Sequence, residues 1–293
     1  MTNLKDQIVE IAVDQWQVDT PQDDWITAIE AGKILYFPHL PFPLDAAKAA
    51  NLFTPAVLDP KSRNISLGTD GKLKGAAGDA ATQEALTAMV GDFRERAVKL
   101  VHGLFPKYAP GLRLAPTSYR PMQVATRVQS WRADDRRMHV DAFPSRPNRG
   151  ERILRVFINV NPDAESRVWR VGEPFEDIAR RFLPRAKPYS AWQAGLLNTL
   201  GVTKSLRSEY DHLMLQLHDG MKSDADYQQN GPQLVQPFPS GAVWVCYSDQ
   251  TPHAVMSGQY MMEQTFHLPT SYLYRPESCP LAILTALAQR ALI

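Results

Sequence analysis

His139 and Asp141 stand two residues apart, and His253 follows far downstream. Two imidazoles and a carboxylate in this pattern are the ligand set of the facial triad. That triad holds ferrous iron by one face and leaves the other positions open to a co-substrate and O2. The spacing has a steric reason: residues i and i+2 of an extended segment point to one side, so His139 and Asp141 reach one ion, and a remote strand supplies the third ligand. Chance also produces His-x-Asp pairs, for instance on a surface strand bonded to loops. The surroundings of His253 narrow the choice. Pro239-Ser240-Gly241 reads as a turn, Ala242 to Tyr247 as an apolar strand, His253 to Met256 as a second strand, Ser257-Gly258 as a turn, and Tyr260 to Leu268 as a third strand. His267 competes as third ligand, but it falls near the far end of its strand, whereas His253 opens one just after a turn. Zinc accepts the same donors.

Hydroxylases built on this triad take 2-oxoglutarate, which requires a cation for its far carboxylate. Arginine suits that role because its planar fork meets a carboxylate with two parallel hydrogen bonds. Many such enzymes place an arginine about ten residues after the distal histidine, yet no Arg or Lys occurs between His253 and Arg275. Arg155 is the best substitute. It lies mid-strand on the face of Ile153, Phe157 and Asn159, where a charge is costly unless it has a partner. Arg127, beside Gln129 on the preceding strand, is second. Arg155, Arg127, Gln129 and Asn159 are therefore the candidate co-substrate contacts, with the alternative that Arg155 pairs with a structural acid or faces water. Seven arginines fall between Arg132 and Arg155. Of these, Arg136, Arg137, Arg146 and Arg149 are candidates to receive an anionic substrate, against the alternative of a solvated loop. His212 and His218 are six apart, which matches no metal pair on a helix, and read as structural; Trp244 and Cys246 read as packing.

These residues need a scaffold. The chain has 293 residues, 44% of them hydrophobic, and a net charge of +1, which provides a normal core and no global case for nucleic acid. Cys246 and Cys279 are too few for a disulfide framework, and the charged N-terminus lacks the apolar run of a signal peptide, so the expected compartment is the cytoplasm. No run of about 18 apolar residues marks a transmembrane segment. Residues 1–110 lean helical. Gln7 to Trp16 shows helical spacing, Lys33 to Phe37 reads as a short strand, and Thr82 to Leu104 is the clearest helix. From Leu112 the pattern alternates, with strands expected at Met122 to Trp131, from His139 to Phe143, and at Arg152 to Asn161. Helices are expected at Phe175 to Phe182, Tyr189 to Leu200, Leu206 to His218 and Pro280 to Leu292, the last with a packing or dimer stripe at Leu281, Leu284, Leu287 and Ala288. The expectation is a single α+β domain, mainly β. Its double-stranded β-helix (jelly-roll, cupin-like) core would span 112–172 and 232–270, with a helical N-terminal wrap (1–110), a helical insertion (173–231) and a C-terminal helix (278–293).

With these residues in place, the chain resembles a known family. His139-Val140-Asp141-Ala142-Phe143-Pro144-Ser145-Arg146-Pro147, the strand Arg152 to Asn159, and Pro252-His253-Ala254-Val255 are similar to the bacterial Kdo 3-hydroxylases. The resemblance runs over most of the chain, including Leu217-His218-Asp219-Gly220. It implies an Fe(II)- and 2-oxoglutarate-dependent dioxygenase, with iron on His139, Asp141 and His253, that consumes O2. The implied reaction hydroxylates carbon 3 of 3-deoxy-octulosonic acid (Kdo) in the lipopolysaccharide inner core, on Kdo-lipid A, to give Ko. It further implies a cytoplasmic enzyme with peripheral contact at the cytoplasmic face of the inner membrane, and it gives the arginine cluster anionic groups to meet. Two rivals stay open: the same chemistry on a protein side chain or small metabolite, and a non-catalytic jelly-roll module for sugar or lipid.

Overall fold

The computed structural model describes residues 3–44, 51–126 and 128–293. Its frame is an eight-stranded sheet facing a three-stranded one. The large sheet runs β1 (Ile8–Glu10), β2 (Ile34–Phe37), β9 (Val243–Tyr247), β6 (Arg152–Asn159), β11 (Met261–Leu268), β5 (Arg113–Arg120), β3 (Ile65–Leu67) and β4 (Leu73–Lys74). The small sheet runs β10 (His253–Ser257), β7 (Arg167–Gly172) and β8 (Gln233–Phe238). All pairings are antiparallel except β1 with β2. The observed class is mixed α+β.

Period-two alternation divides the large sheet into two faces. Leu154, Val156 and Ile158 of β6 pack with Val243, Val245, Met262 and Phe266 under the helix α2 (Ala80–Leu104). Phe157, Trp244 and Met261 point the other way and meet Trp169, Val171 and Val255 of the small sheet. Asp79 caps α2 by accepting from the Thr82 amide at 2.9 Å, and Leu86, Met89, Val90, Phe93, Ala97 and Val101 lie on its buried face. A third cluster belongs to the insertion. α3 (Phe175–Phe182), α5 (Glu209–Ser223) and α7 (Pro280–Ala288) bury Phe175, Ile178, Leu217 and Leu284 together with Met138, Val140 and Ala254. The insertion also carries α4 (Ala191–Thr199) and α6 (Ala225–Asn230); α1 (Asp23–Glu30) precedes β2. The C-terminal stripe is thus intramolecular packing.

Several elements differ from expectation. Gln7 to Trp16 is not a helix: β-branched Ile8 and Val9 pair in parallel with Ile34 and Leu35. The N-terminal region also supplies β3 and β4, so it is part of the sheet as well as a wrap. Met122 to Trp131 forms no strand among its described residues. The Gln123 Oε1 atom accepts from the amides of Val124 (2.9 Å) and Gly258 (2.7 Å), and a side chain thereby takes the place of a strand partner. The stretch from His139 to Phe143 reduces to one antiparallel bridge between His139 and His253. The C-terminal helix stops at Ala288, where Gln289 turns left-handed at φ 55°. Among the described residues no helix is long and apolar enough to cross a membrane.

Candidate active site

The bridge that replaces the expected strand brings the predicted ligands together. His139 N donates to His253 O at 3.0 Å and His253 N to His139 O at 2.9 Å, while Asp141 N donates to Ser248 O at 2.8 Å. Met138 and Val140 are buried in the insertion cluster, so His139 and Asp141, alternating with them, face the gap between the sheets. Burying two such side chains contributes about 1.5–3 kcal/mol each, which pins the rotation of the segment. Ala254 does the same for His253.

One ligand atom from each of His139, Asp141 and His253 lies within 4.8 Å of the others. The donor chemistry suits a divalent ion. His139 Nδ1 is 2.7 Å from Arg137 O and His253 Nδ1 is 2.8 Å from Thr251 O. A carbonyl only accepts, so each Nδ1 carries the proton and each Nε2 presents a lone pair to the site. Burial, and for His139 also the neighbouring His253, holds both imidazoles below their ordinary pKa and keeps them neutral. Burial works against the Asp141 charge, but Arg155 and then the two imidazoles outweigh it and hold the carboxyl well below its usual range. Asp141 Oδ2 is 2.9 Å from Arg155 Nη2 as an ion pair, yet it accepts no well-aligned hydrogen bond. A buried carboxylate oxygen in that state fits a metal ligand.

The triad opens on a cavity of about 280 Å³ lined on its cationic side by Arg63, Arg120, Arg155 and Arg167. Here the structure adds groups that the sequence did not single out. Arg155 Nη1 is 3.1 Å from Glu263 Oε1, and Glu263 Oε2 is 3.1 Å from Arg120 Nη2. The registers explain the chain of charges. Arg155 lies opposite Thr265, and Glu263 lies opposite Phe157 on one side and Ser118 on the other, so each ion pair joins diagonal neighbours across three strands. The His253 ring stacks on Trp169 at 5.0 Å and 20°. His218 of α5, read as structural, meets the His139 ring edge-on at 5.5 Å and pairs through Nδ1 with Asp219 at 3.0 Å.

The other predicted residues divide. Gln129 lines the cavity, whereas Arg127 lies outside the described residues. Asn159 has the expected parity but is a latch: its Nδ2 donates to Glu165 O (2.8 Å) and Phe238 O (3.0 Å), which uses the amide on backbone. Arg136 donates to Asp134 (2.9 Å) and Ala125 O (3.0 Å), and Arg137 Nη1 donates to Lys222 O (2.8 Å), so both are anchored on acceptors of the protein itself. Arg146 lines an adjoining cavity of about 360 Å³ that shares Phe143 and Arg155 with the first. Arg149 is exposed, with φ 51° and its amide on Asp211. His267 lines that second cavity and stands apart from the triad.

Comparison with known proteins agrees with this geometry. Residues 12–291 match the family described as 3-deoxy-D-manno-oct-2-ulosonic acid (Kdo) hydroxylase, and the chain belongs to that family. No curated protein matches it by sequence. Among solved structures, the Kdo hydroxylase KdoO, a non-heme Fe(II) α-ketoglutarate-dependent dioxygenase in complex with α-ketoglutarate and Fe(III), superposes with a TM-score of 0.91 at 40% identity, covering 98% of this chain and 97% of that one. The apo form of KdoO superposes with a TM-score of 0.92, and its complex with succinate and Fe(III) with 0.91, at the same identity and coverage.

Proposed function

We propose that this member of the Kdo hydroxylase family is an Fe(II)- and 2-oxoglutarate-dependent dioxygenase that hydroxylates Kdo at carbon 3 while the sugar is carried on lipid A. The observation that carries the reading is the convergence of His139, Asp141 and His253 in one buried cavity beside Arg155. We also read the two facing sheets as the halves of a double-stranded β-helix within a single domain, working in the cytoplasm.

His139, Asp141 and His253 would hold the iron. The iron and 2-oxoglutarate, when bound, supply oxidation of a substrate C–H bond by O2, with succinate and CO2 as co-products. The protein's own part is positional. The Nδ1 bonds to Arg137 O and Thr251 O fix both imidazoles as Nε2 ligands. Arg155 holds Asp141 in place, and with Arg120 it is the cationic group we assign to the 2-oxoglutarate carboxylate; Gln129 lines the same cavity. Of the loop arginines, Arg146 and the exposed Arg149 are those we assign to the anionic groups of the substrate. The apolar walls Phe157, Trp169 and Val255 exclude water from the reacting carbon.

The test is turnover of Kdo-lipid A by iron-loaded protein with 2-oxoglutarate. Succinate should form in step with a product one oxygen atom heavier on the Kdo unit. Succinate coupled only to a small metabolite or a peptide would replace the substrate and keep the chemistry. No succinate with any acceptor, in metal-replete protein, would favour a binding module.

A further inference from the structure

The insertion presents a surface that the reaction does not use. Nine large apolar side chains are strongly exposed among the described residues. Five of them lie between 192 and 206: Trp192 (74%), Leu196 (43%), Leu200 (66%), Val202 (53%) and Leu206 (49%). Clustering of this degree marks an interaction surface, where scattered singles would not. Trp192 and Leu196 of α4 and Leu200 just past its end are four apart and form one stripe, while Ala194 is the buried contact of the helix.

Charge indicates what covers the stripe. Between Asp177 and Glu209 there is no acidic residue, while Arg180, Arg181, Arg185, Lys187, Lys204 and Arg207 are basic. The first three are neutralised by Glu176, Glu173 and Asp224. Lys187, Lys204 and Arg207 flank the apolar stripe in sequence and have no acidic partner among the described residues. A second copy of the chain would bring like charges together, whereas an anionic surface answers both the apolar stripe and the cations.

We propose that segment 187–207 docks on an anionic lipid bilayer, with Trp192, Leu196 and Leu200 entering the headgroup boundary and the exposed Lys187 and Lys204 meeting lipid phosphates. The segment is tied to the site. Lys204 N donates to Ser145 O at 2.9 Å and Arg207 Nη2 to Pro144 O at 2.6 Å, and Pro144 directly follows the cavity residue Phe143. Docking would therefore place the cavity one loop away from the membrane, where a lipid-borne sugar is presented. This use of the surface rests on the proposed substrate; binding to lipid does not.

The experiment is flotation of the full chain, without iron or 2-oxoglutarate, on vesicles of phosphatidylcholine with and without phosphatidylglycerol. Partition should require the anionic lipid and fall with salt. Lys204→Gln should weaken it about fivefold and Trp192→Glu about tenfold or more, while Val235→Glu, at an exposed apolar residue on β8, should leave it unchanged. Trp192→Glu should keep the wild-type rate on a deacylated, soluble Kdo substrate, which shows that the variant folds. Partition that ignores lipid charge, or that survives Trp192→Glu, overturns the proposal. So does a dimer in sedimentation that Trp192→Glu dissociates without any vesicle binding. Failure of docking with intact turnover removes this inference alone, and intact docking without turnover removes the proposed reaction alone.

Discussion

Two walls of one cavity follow different construction rules. The ligand wall is set by backbone. His139 and His253 are placed by main-chain bonds to each other and Asp141 by one to Ser248, and Met138, Val140 and Ala254 fix which way the segments face. The cationic wall is set by side chains. Arg155, Glu263 and Arg120 come from β6, β11 and β5 and hold one another through diagonal ion pairs. Backbone placement tolerates loss of one side chain, because the remaining geometry is independent of it. Mutual ion pairing does not, because each member removed strands a buried charge.

The largest effect should come from the ligand wall, and it should be mainly chemical, with a smaller loss of stability than at Arg155 because Arg155 keeps Glu263 when Asp141 is removed. Asp141→Ala should abolish succinate formation and weaken Co(II) binding by more than the roughly 10–100-fold typical of outer-shell changes. Retention of Co(II) affinity in titration calorimetry would remove Asp141 from the ligand set. Arg155→Met comes next and should behave in the opposite way. Asp141 and Glu263 lose a shared cation, and breaking such buried pairs costs about 3–5 kcal/mol. Thermal unfolding of the metal-free protein reads this directly, and the 2-oxoglutarate requirement should rise alongside. A variant as stable as the parent would mean that the two walls do not differ as described. Glu263→Gln keeps the shape and leaves Asp141 its arginine. It should shift the apparent KM for 2-oxoglutarate or the Co(II) affinity about tenfold, with smaller loss of stability than Arg155→Met. An effect confined to stability would reduce Glu263 to a strut.

The same contrast explains what could be read in advance. A His-x-Asp pair and a strand-opening histidine carry period-two information, and the ligand wall follows from it even though the expected strand at 139 proved to be a single bridge. Glu263 sits in Met261-Met262-Glu263-Gln264-Thr265, where alternation assigns its face but not its neighbours. Its role needs the strand order β6-β11-β5, in which sequence-distant strands lie side by side. His218 was passed over because spacing along one helix tests for a metal pair within that helix, whereas its contact is across to His139. Asn159 had the right parity and the wrong end of the strand. Arg136 and Arg137 show that neighbouring charges in sequence can be drawn to different acceptors, Arg136 to nearby Asp134 and Arg137 to the distant Lys222 carbonyl.

The smallest expected effect separates burial from ligation. His267 shares the parity of Glu263 on β11 but lines the second cavity, beyond the triad. Burial, as the leading cause, lowers its pKa, so the folded chain keeps it neutral under conditions where the unfolded chain takes up a proton, near pH 6.5. Below that value the unfolded state binds more protons, and stability from this group therefore falls as pH drops from about 6.5 towards the depressed folded value. His267→Gln should flatten that part of the stability-against-pH curve between about pH 7.5 and 5.5 and leave Co(II) affinity untouched. If the variant instead loses Co(II), the ligand wall extends along β11 and the division between backbone-placed ligands and side-chain-placed charges fails. If the slope is unchanged, the acid sensitivity of this region belongs to other groups, and burial of His267 has no energetic consequence.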